Sequence, residues 1–278
     1  MTRGNEFIKS IFMIKYSAIL LIVFITLVSG CIEQERMIEM EKTNVSIITI
    51  YDNYEYNPEL KTGWGFSCLV KTEKENILFD TGADSPTLLS NMEKLGIAPK
   101  EIDTLVLSHI HGDHTGGLAG VLDKNSNVTV YLPKSFPADF KKMVKSYSSE
   151  IVEVSNSIKI SESVSTTGEL GTLIKEQSLI INTENGLVVI TGCAHPGIVN
   201  IVKKAKELTN ENIYLVMGGF HLSGASDSEI RKIVSSFREL GVERVAPCHC
   251  SGDRTRELFE KEYKDNFIKN GVGRIIHV

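Results

Sequence analysis

The sequence predicts an α/β fold in which β-sheets are covered by helices on their outer faces. The chain opens with short apolar segments between turn residues, typical of a β meander, and from Ser178 onward strand-like segments alternate with amphipathic helical segments. With 278 residues, of which 42% are hydrophobic and 23% charged, the chain can bury one substantial core. Strands that lead alternately into loops and helices favour such a layered arrangement.

One helix is expected to cover the opening meander. Ser85 followed by Pro86 is typical of an N-cap with proline at the first helical position, and apolar residues follow at helical spacing as far as Gly96. Another helix is expected from Gly116. Residues 133–175 are expected to form a surface insertion that helps to wall the substrate pocket. The strands predicted in this half are 44–51, 66–71, 76–79, 104–107 and 128–132, and the insertion holds a helix at 138–147.

The second half is expected to continue the strand and helix alternation in a regular order. Its apolar residues recur at the spacing of buried strands and of amphipathic helices. The predicted strands are 178–182, 187–191, 213–217 and 243–246, and the predicted helices are 197–208, 227–240 and 254–263.

The N-terminus differs from the rest of the chain and is typical of an export signal. Basic residues precede an apolar run at 18–28, which is followed by Ser29, Gly30 and Cys31. A membrane-spanning helix needs roughly twenty apolar residues, so this run favours a signal over a span. The pattern is similar to a lipoprotein signal in which Cys31 carries the lipid. An uncleaved anchor or a plain apolar leader is the alternative, and Met13 is an alternative start.

These features divide the chain into a signal-like segment at 1–31, a polar linker at 32–43 and a folded domain at 44–278. They predict an exported protein anchored to the outer surface of the membrane through Cys31. A true start after the signal would instead leave the protein in the cytoplasm. The net charge of −5 provides no overall attraction to nucleic acid, so a small-molecule substrate is expected.

The densest chemical signal is the run HIHGDH at 109–114, directly after a predicted buried strand. In an extended segment His109 and His111 point to the same side and can reach one metal ion, while the following turn lets Asp113 and His114 reach a second. A solvated loop of four polar residues is the alternative, and the density of ligand types disfavours it. Nitrogen and oxygen ligands suit zinc, manganese or iron. The sequence therefore predicts two divalent metal ions, with zinc favoured.

This run, followed by TGG, resembles the His-x-His-x-Asp-His pattern of the metallo-β-lactamase superfamily. The resemblance implies an αββα sandwich with the active site at the edge between the sheets and further ligands at later strand ends. His195 in TGCAHPG and His249 in PCHCSG stand at the expected places, although a buried core histidine is the alternative for His195. By resemblance, His109, His111 and His195 would hold one metal ion, and Asp113, His114 and His249 would hold the other.

The sequence departs from the family pattern at one ligand. Many members place a metal-bridging Asp after the penultimate strand, whereas this chain has GGFH at 218–221. His221 is therefore expected in the pocket as a ligand, a proton donor or a substrate contact. Asp80 resembles the acidic residue that supports the ligands from behind, with a turn cap as the alternative.

The cysteines after Cys31 are too few for a disulfide scaffold. Export would permit a disulfide among Cys193, Cys248 and Cys250. Cys248 and Cys250 flank His249 on a predicted strand, so they are expected to face away from it as packed thiols or a disulfide rather than to bind metal. His277 is expected to be a tail residue.

The segments TGCAHPGIVN, GGFHL and PCHCSG resemble a subgroup of the superfamily, the proteins similar to 7,8-dihydropterin-6-methyl-4-(β-D-ribofuranosyl)aminobenzene 5'-phosphate synthase. The resemblance covers about 44–278 and implies a transferase that joins a dihydropterin diphosphate to β-ribofuranosylaminobenzene 5'-phosphate. Two close metal ions can also activate a hydroxide, so hydrolysis of a phosphoester or acyl substrate is the first expectation. Asp113 would then orient the hydroxide and His221 would protonate the leaving group. A metal-binding lipoprotein without turnover is the third possibility.

Overall fold

A computed structural model of the protein describes residues 37–147 and 150–278. The predicted signal at 1–31, the predicted lipid attachment at Cys31 and the start of the linker lie outside the described residues. Within the described part of the chain, none of the helices combines the length and the apolar character that crossing a bilayer requires.

Twelve strands in the described residues form two sheets of seven and five strands. The seven-stranded sheet has the order β12-β1-β2-β3-β4-β5-β6, antiparallel from β12 to β3 and parallel from β3 to β6. Its strands are β1 Ser46–Tyr51, β2 Ser67–Lys71, β3 Asn76–Phe79, β4 Thr104–Val106, β5 Thr129–Pro133, β6 Glu150–Val154 and β12 Ile275–His277.

The five-stranded sheet has the order β11-β10-β9-β8-β7. Its strands β9, β10 and β11 run parallel to one another, and β7 and β8 pair antiparallel. The parallel direction matters because it brings the carboxyl ends of three successive strands to one edge. The strands are β7 Val164–Thr166, β8 Leu179–Thr183, β9 Gly186–Thr191, β10 Ile213–Gly219 and β11 Arg244–Cys248.

The two sheets pack face to face, with helices on both outer faces. Alternation along the strands builds the layers, because successive side chains point to opposite faces. In β2, Cys68 and Val70 join the apolar cluster between the sheets, whereas Leu69 joins the cluster under the outer helices. The helices are α1 Ser85–Lys94, α2 Gly112–Thr115, α3 Leu118–Lys124, α4 Ala138–Ser146, α5 Ile198–Thr209, α6 Asp227–Glu239 and α7 Asp253–Tyr263. The predicted layered α/β fold is therefore confirmed.

Two helix starts differ from the predictions. The N-cap of α1 is Asp84 rather than Ser85, because the Asp84 carboxylate accepts a hydrogen bond from the Thr87 backbone N–H at 2.7 Å. The helix expected from Gly116 is α3, which begins at Leu118, and the single turn α2, which was not predicted, precedes it at Gly112–Thr115. The early turn places polar residues of the metal motif on helical backbone.

The prediction of a surface insertion at 133–175 is wrong. Its strands complete both sheets: β6 pairs with β5 at the edge of one sheet, and β7 pairs with β8 at the edge of the other. Both strands are short, and neither EIVEV in β6 nor VST in β7 shows the regular alternation of apolar and polar residues that marks a strand in the sequence. His277 is likewise not a tail residue but lies in β12, with Nδ1 2.8 Å from Ser46 Oγ.

Candidate metal centre and active site

The candidate site lies where several strands end. His195 and His249 follow the carboxyl ends of the parallel strands β9 and β11, and His221 follows β10. The motif at 109–114 follows β4 of the other sheet. Carboxyl ends of parallel strands meet at one edge of a sheet, so residues far apart in sequence come together there. The structure brings all six predicted ligands to this edge.

Three imidazoles form what we call the histidine group, His109, His111 and His195. The centroids of the three rings lie 4.8 Å from one another. His109 is buried, and His111 and His195 are partly exposed. His195 Nε2 is buried without a hydrogen-bond partner among the described residues. An imidazole nitrogen left without a partner beside two other imidazoles fits a place for a divalent metal ion.

Asp113, His114 and His249 form what we call the carboxylate group. Asp113 Oδ2 lies 3.4 Å from His249 Nε2 and 3.8 Å from His114 Nε2, and the two Nε2 atoms lie 3.2 Å apart. Both histidines are buried and Asp113 is partly buried. The ring centroids of His109 and His114 are only 4.2 Å apart, so the two groups adjoin. Together they offer nitrogen and oxygen donors at two neighbouring positions.

A buried carboxylate supports both groups from behind. Asp80 Oδ2 lies 2.7 Å from His114 Nδ1, and its two oxygens also accept hydrogen bonds from the backbone N–H and the hydroxyl of Ser108, each at 2.7 Å. The Ser108 hydroxyl oxygen in turn lies 2.9 Å from His109 Nδ1. Such bonds fix the ring orientation and leave the Nε2 atoms of His109 and His114 directed into the site.

His249 is held in the same way, by a residue that sequence reasoning missed. Its Nδ1 lies 3.1 Å from Asn53 Oδ1, and its backbone N–H donates to the buried carboxylate of Asp52. Asn53 lies in the loop after β1, 196 residues away from its partner. No local pattern marks it, because only the folded chain joins the two.

Glu176 is the second support that the sequence did not reveal. Its Oε1 accepts the backbone N–H groups of Gly192, Cys193 and Ala194 at 2.8 to 3.1 Å, and Oε2 accepts that of His195 at 2.8 Å. Burial raises the pKa of Glu176 to about 7, although these backbone bonds oppose the shift. The carboxylate thereby holds the turn that presents His195.

Lowered pKa values keep two imidazoles of the histidine group in the neutral form that binds metal. Burial, and then the positive charge of a protonated His114, lower the pKa of His109 far below its usual range. Burial and a protonated His221 lower the pKa of His195 to about 4. Both imidazoles are therefore neutral near pH 7, as a metal ligand must be.

The carboxylate group titrates differently. Burial alone would lower the pKa of His114, but Asp80, by charge and hydrogen bond, raises it above 6.5. Burial alone would raise the pKa of Asp113, but the hydrogen bond with His249 and nearby histidine charges lower it below its usual range. Asp113 is therefore ionised at neutral pH, while His114 tends to hold a proton when no metal ion competes for it.

The prediction of packed thiols is confirmed for Cys248, which joins the apolar cluster between the sheets, but Cys250 is placed differently. The four cysteines in the described residues are free and buried, so they form no disulfide there. Cys250 does not continue the strand after Cys248, because His249 has a positive φ of 48° and the chain turns into a short 3₁₀ segment. This turn directs Cys250 toward the site, where its Sγ lies 3.3 Å from Cys193 Sγ.

Three further side chains border the metal groups. His221 is exposed, and its ring centroid lies 4.4 Å from that of His195, which agrees with the expected pocket placement. Cys193 Sγ lies 3.2 Å from His114 Nε2. Trp64 is 57% exposed, with its ring centroid 5.0 Å from that of His249. The sequence pattern marked His221, but neither Cys193 as a neighbour of His114 nor Trp64.

The fold and the site define a metallo-β-lactamase superfamily protein, and comparison with known proteins agrees. Residues 64–206 match the family model of the metallo-beta-lactamase superfamily. The chain belongs to this superfamily, as its motifs indicated.

Two relatives from Methanocaldococcus jannaschii match over most of their length. The chain is 31% identical to 7,8-dihydropterin-6-methyl-4-(beta-D-ribofuranosyl)-aminobenzene-5'-phosphate synthase, over 84% of this chain and 96% of that protein. It is 30% identical to the uncharacterized protein MJ0448, over 77% of this chain and 93% of that protein. The crystal structure of Tm1679, described as a metal-dependent hydrolase of the beta-lactamase superfamily, has 33% identity and a TM-score of 0.71 over 84% of this chain and 99% of that chain.

Proposed function

We propose that the protein holds two divalent metal ions, with zinc favoured over manganese and iron, and hydrolyses a phosphoester or acyl bond in a small-molecule substrate. The histidine group holds one ion and the carboxylate group holds the other. The observation that carries the proposal is the adjacency of these groups, whose nearest rings, His109 and His114, have centroids 4.2 Å apart. The donor chemistry fits, because imidazole and carboxylate ligands suit these ions in sites with an open position.

The ions would act as Lewis acids that lower the pKa of water and stabilise negative charge on the substrate. The chain's own residues do the rest. Asp113 is ionised, and its Oδ2 lies 3.4 Å from His249 Nε2, so the carboxylate can orient an attacking water beside the carboxylate group. Partly exposed His111 and His195 line the open side, by which a substrate reaches the site.

His221 supplies the proton for the leaving group. It is exposed beside His195, and its pKa is raised, chiefly by a hydrogen bond with Cys250. A histidine whose pKa lies near the working pH can both hold a proton and give it up. An approaching substrate meets this side chain before it meets the buried His109.

A second candidate is a transferase that joins a dihydropterin diphosphate to β-ribofuranosylaminobenzene 5'-phosphate. Two observations favour it: the synthase relative is similar over 84% of this chain, and exposed Trp64 offers a flat aromatic face beside His249. In that reaction the metal groups would hold the diphosphate, and Trp64 would stack on a ring.

Lipid attachment at Cys31, which the sequence predicts, would favour hydrolysis over the transferase, because a protein on the outer surface has no access to a cytoplasmic pterin. Labelled fatty acid should then be incorporated by the wild-type chain in its own cells and not by Cys31→Ser. Incorporation by neither, with the protein in the soluble fraction, would overturn the anchoring and favour the cytoplasmic reaction.

The function is tested with the full chain loaded with zinc, manganese or iron and assayed on a phosphodiester, a phosphomonoester and a lactone. We expect metal-dependent turnover that His111→Ala abolishes. His277→Ala is the matched control, because His277 lies in β12 and bonds Ser46 instead of the site. Metal binding without hydrolysis, together with conversion of the pterin diphosphate pair, would replace the hydrolase by the transferase. Metal binding with neither reaction would support a non-catalytic metal-binding protein.

A further inference from the structure

We infer that the thiolate of Cys193 is a shared sulfur ligand of the two metal ions, placed between the histidine group and the carboxylate group. The inference rests on the proposed two-metal function and deepens it. None of the six ligands predicted from the sequence carries sulfur, so it also changes the chemical character of the centre.

The geometry places one sulfur against both groups. Cys193 Sγ lies within 4.8 Å of ligand atoms of Asp113, His114 and His249, and within the same distance of ligand atoms of His109 and His195. In the described residues Cys193 is common to both of these sets. Cys193 also belongs to a third set, with His221 and Cys250, and a sulfur common to the first two sets is placed where one ligand could reach both proposed ions. Counting Cys193, each group offers four protein donors, and a catalytic zinc ion can expand to five ligands, which would keep a place for water.

The position of the sulfur is built by the surrounding chain. Cys193 is 4% exposed and follows the end of β9. Its backbone N–H donates to Glu176 Oε1 at 3.0 Å. The preceding Gly192 packs so tightly that a Cβ there would lie 2.1 Å from Ser108 Oγ, the hydroxyl that supports His109. The backbone turn that carries the thiol is therefore packed closely against Ser108.

The thiol of Cys250 lies next to Cys193 and can stabilise a thiolate there. In the metal-free protein Cys250 accepts from His221, and its Sγ lies 3.3 Å from Cys193 Sγ. Once metal held Cys193, a protonated Cys250 would be close enough to donate to that sulfur. Metal binding would displace the Cys193 proton to solvent, and the thiolate would then offer lone pairs to both ions. Thiolate is a softer ligand than carboxylate, so it favours zinc over manganese at both positions.

The test is metal–sulfur spectroscopy on the full chain, kept reduced with a phosphine. Zinc-loaded wild type should show a metal–sulfur distance near ~2.3 Å by X-ray absorption, and cobalt-loaded wild type should show a sulfur-to-cobalt charge-transfer band. Cys250→Ser is the matched control: it removes the adjacent thiol and should keep both signals. Cys193→Ser should lose both and bind cobalt at least about 10-fold more weakly.

The outcomes separate this inference from the proposed function. Wild type that binds two ions without any sulfur signal would overturn the thiolate ligand and leave the two-metal site standing. Wild type that binds no metal would overturn both. Signals that persist in Cys193→Ser and vanish in Cys250→Ser would show that Cys250 is the sulfur ligand, and would overturn the assignment to Cys193. Should Cys193→Ser fail to fold, Cys193→Asp supplies an oxygen ligand instead and should bind two ions with no sulfur signal.

Discussion

The two halves of the metal centre are supported to different degrees. In the carboxylate group both histidines are buried, and the Nδ1 of each is held by a side-chain oxygen, from Asp80 for His114 and Asn53 for His249. In the histidine group only His109 has such a support, from Ser108. Its other members, His111 and His195, are partly exposed. One half is therefore organised before metal arrives, and the other half keeps room for substrate.

The largest effect should follow from removing the shared support. Asp80→Ala leaves the Ser108 hydroxyl, the Ser108 N–H and His114 Nδ1 without their buried acceptor. Each buried group left unpaired costs about 1–3 kcal/mol, and loss of a supporting residue weakens metal binding by about 10- to 100-fold. Urea unfolding and zinc titration measure the two effects.

A matched control exists in the neighbouring aspartate. Asp84→Ala removes the N-cap of α1 and the acceptor of the Tyr51 hydroxyl, and Asp84 contacts no predicted ligand; loss of the cap alone should cost about 1 kcal/mol. Its zinc affinity should equal that of the wild type. Equal zinc affinity in Asp80→Ala and Asp84→Ala would show that Asp80 does not support the ligands.

The unequal supports should also separate the two ions kinetically. We expect a chelator to remove zinc in two phases, with the ion of the histidine group leaving first, since two of its ligands are partly exposed. His111→Ala should abolish the fast phase and His249→Ala the slow phase, followed as zinc release to a chromogenic chelator. Zinc release in a single phase, abolished by His111→Ala and equally by His249→Ala, would contradict the claim that the two groups hold their ions independently.

The halves should differ in their response to pH. The pKa of His114 is raised above 6.5, so the metal-free protein holds a proton there, and metal binding must displace it. The affinity of the carboxylate group should therefore rise with pH until the pH exceeds that raised pKa. His109 and His195 have lowered pKa values and should release no proton near pH 7.

Calorimetry in buffers of different ionisation enthalpy counts the released protons. With Cys193→Ser as background, so that the thiol does not contribute, the added substitution Asp80→Asn should reduce the release by up to about one proton, because it removes the charge that raises the pKa of His114. Proton release unchanged by Asp80→Asn would assign the proton to another group.

The smallest effect should come from Trp64, which borders the site without holding it. Trp64→Ala should raise KM by about 2- to 12-fold, the equivalent of about 0.5–1.5 kcal/mol of ring contact, with kcat and metal content unchanged. Trp64→Phe should retain most of the affinity. A fall in zinc content in Trp64→Ala would show that the ring supports His249 rather than the substrate.

The sequence predicted those parts of the fold and of the metal centre that depend on residues close together in the chain. The metal motif occupies consecutive positions, and most strands and helices begin and end within two residues of their predicted bounds because their periodicity is strong. The supports were invisible because their partners are distant: Asn53 meets His249 across 196 residues, and Glu176 meets a turn 16 to 19 residues later. The direction of the Cys250 side chain depends on the positive φ of His249. Histidine seldom adopts a positive φ, so the sequence does not predict this turn.

The central claim is that two adjoining groups each hold one ion. Metal content per full chain, measured by plasma mass spectrometry after zinc loading and desalting, tests it most directly. We expect two ions in the wild type and in His277→Ala, and one ion in both His111→Ala and His249→Ala. One ion or none in the wild type, or a full content of two ions in both site variants, would contradict the account.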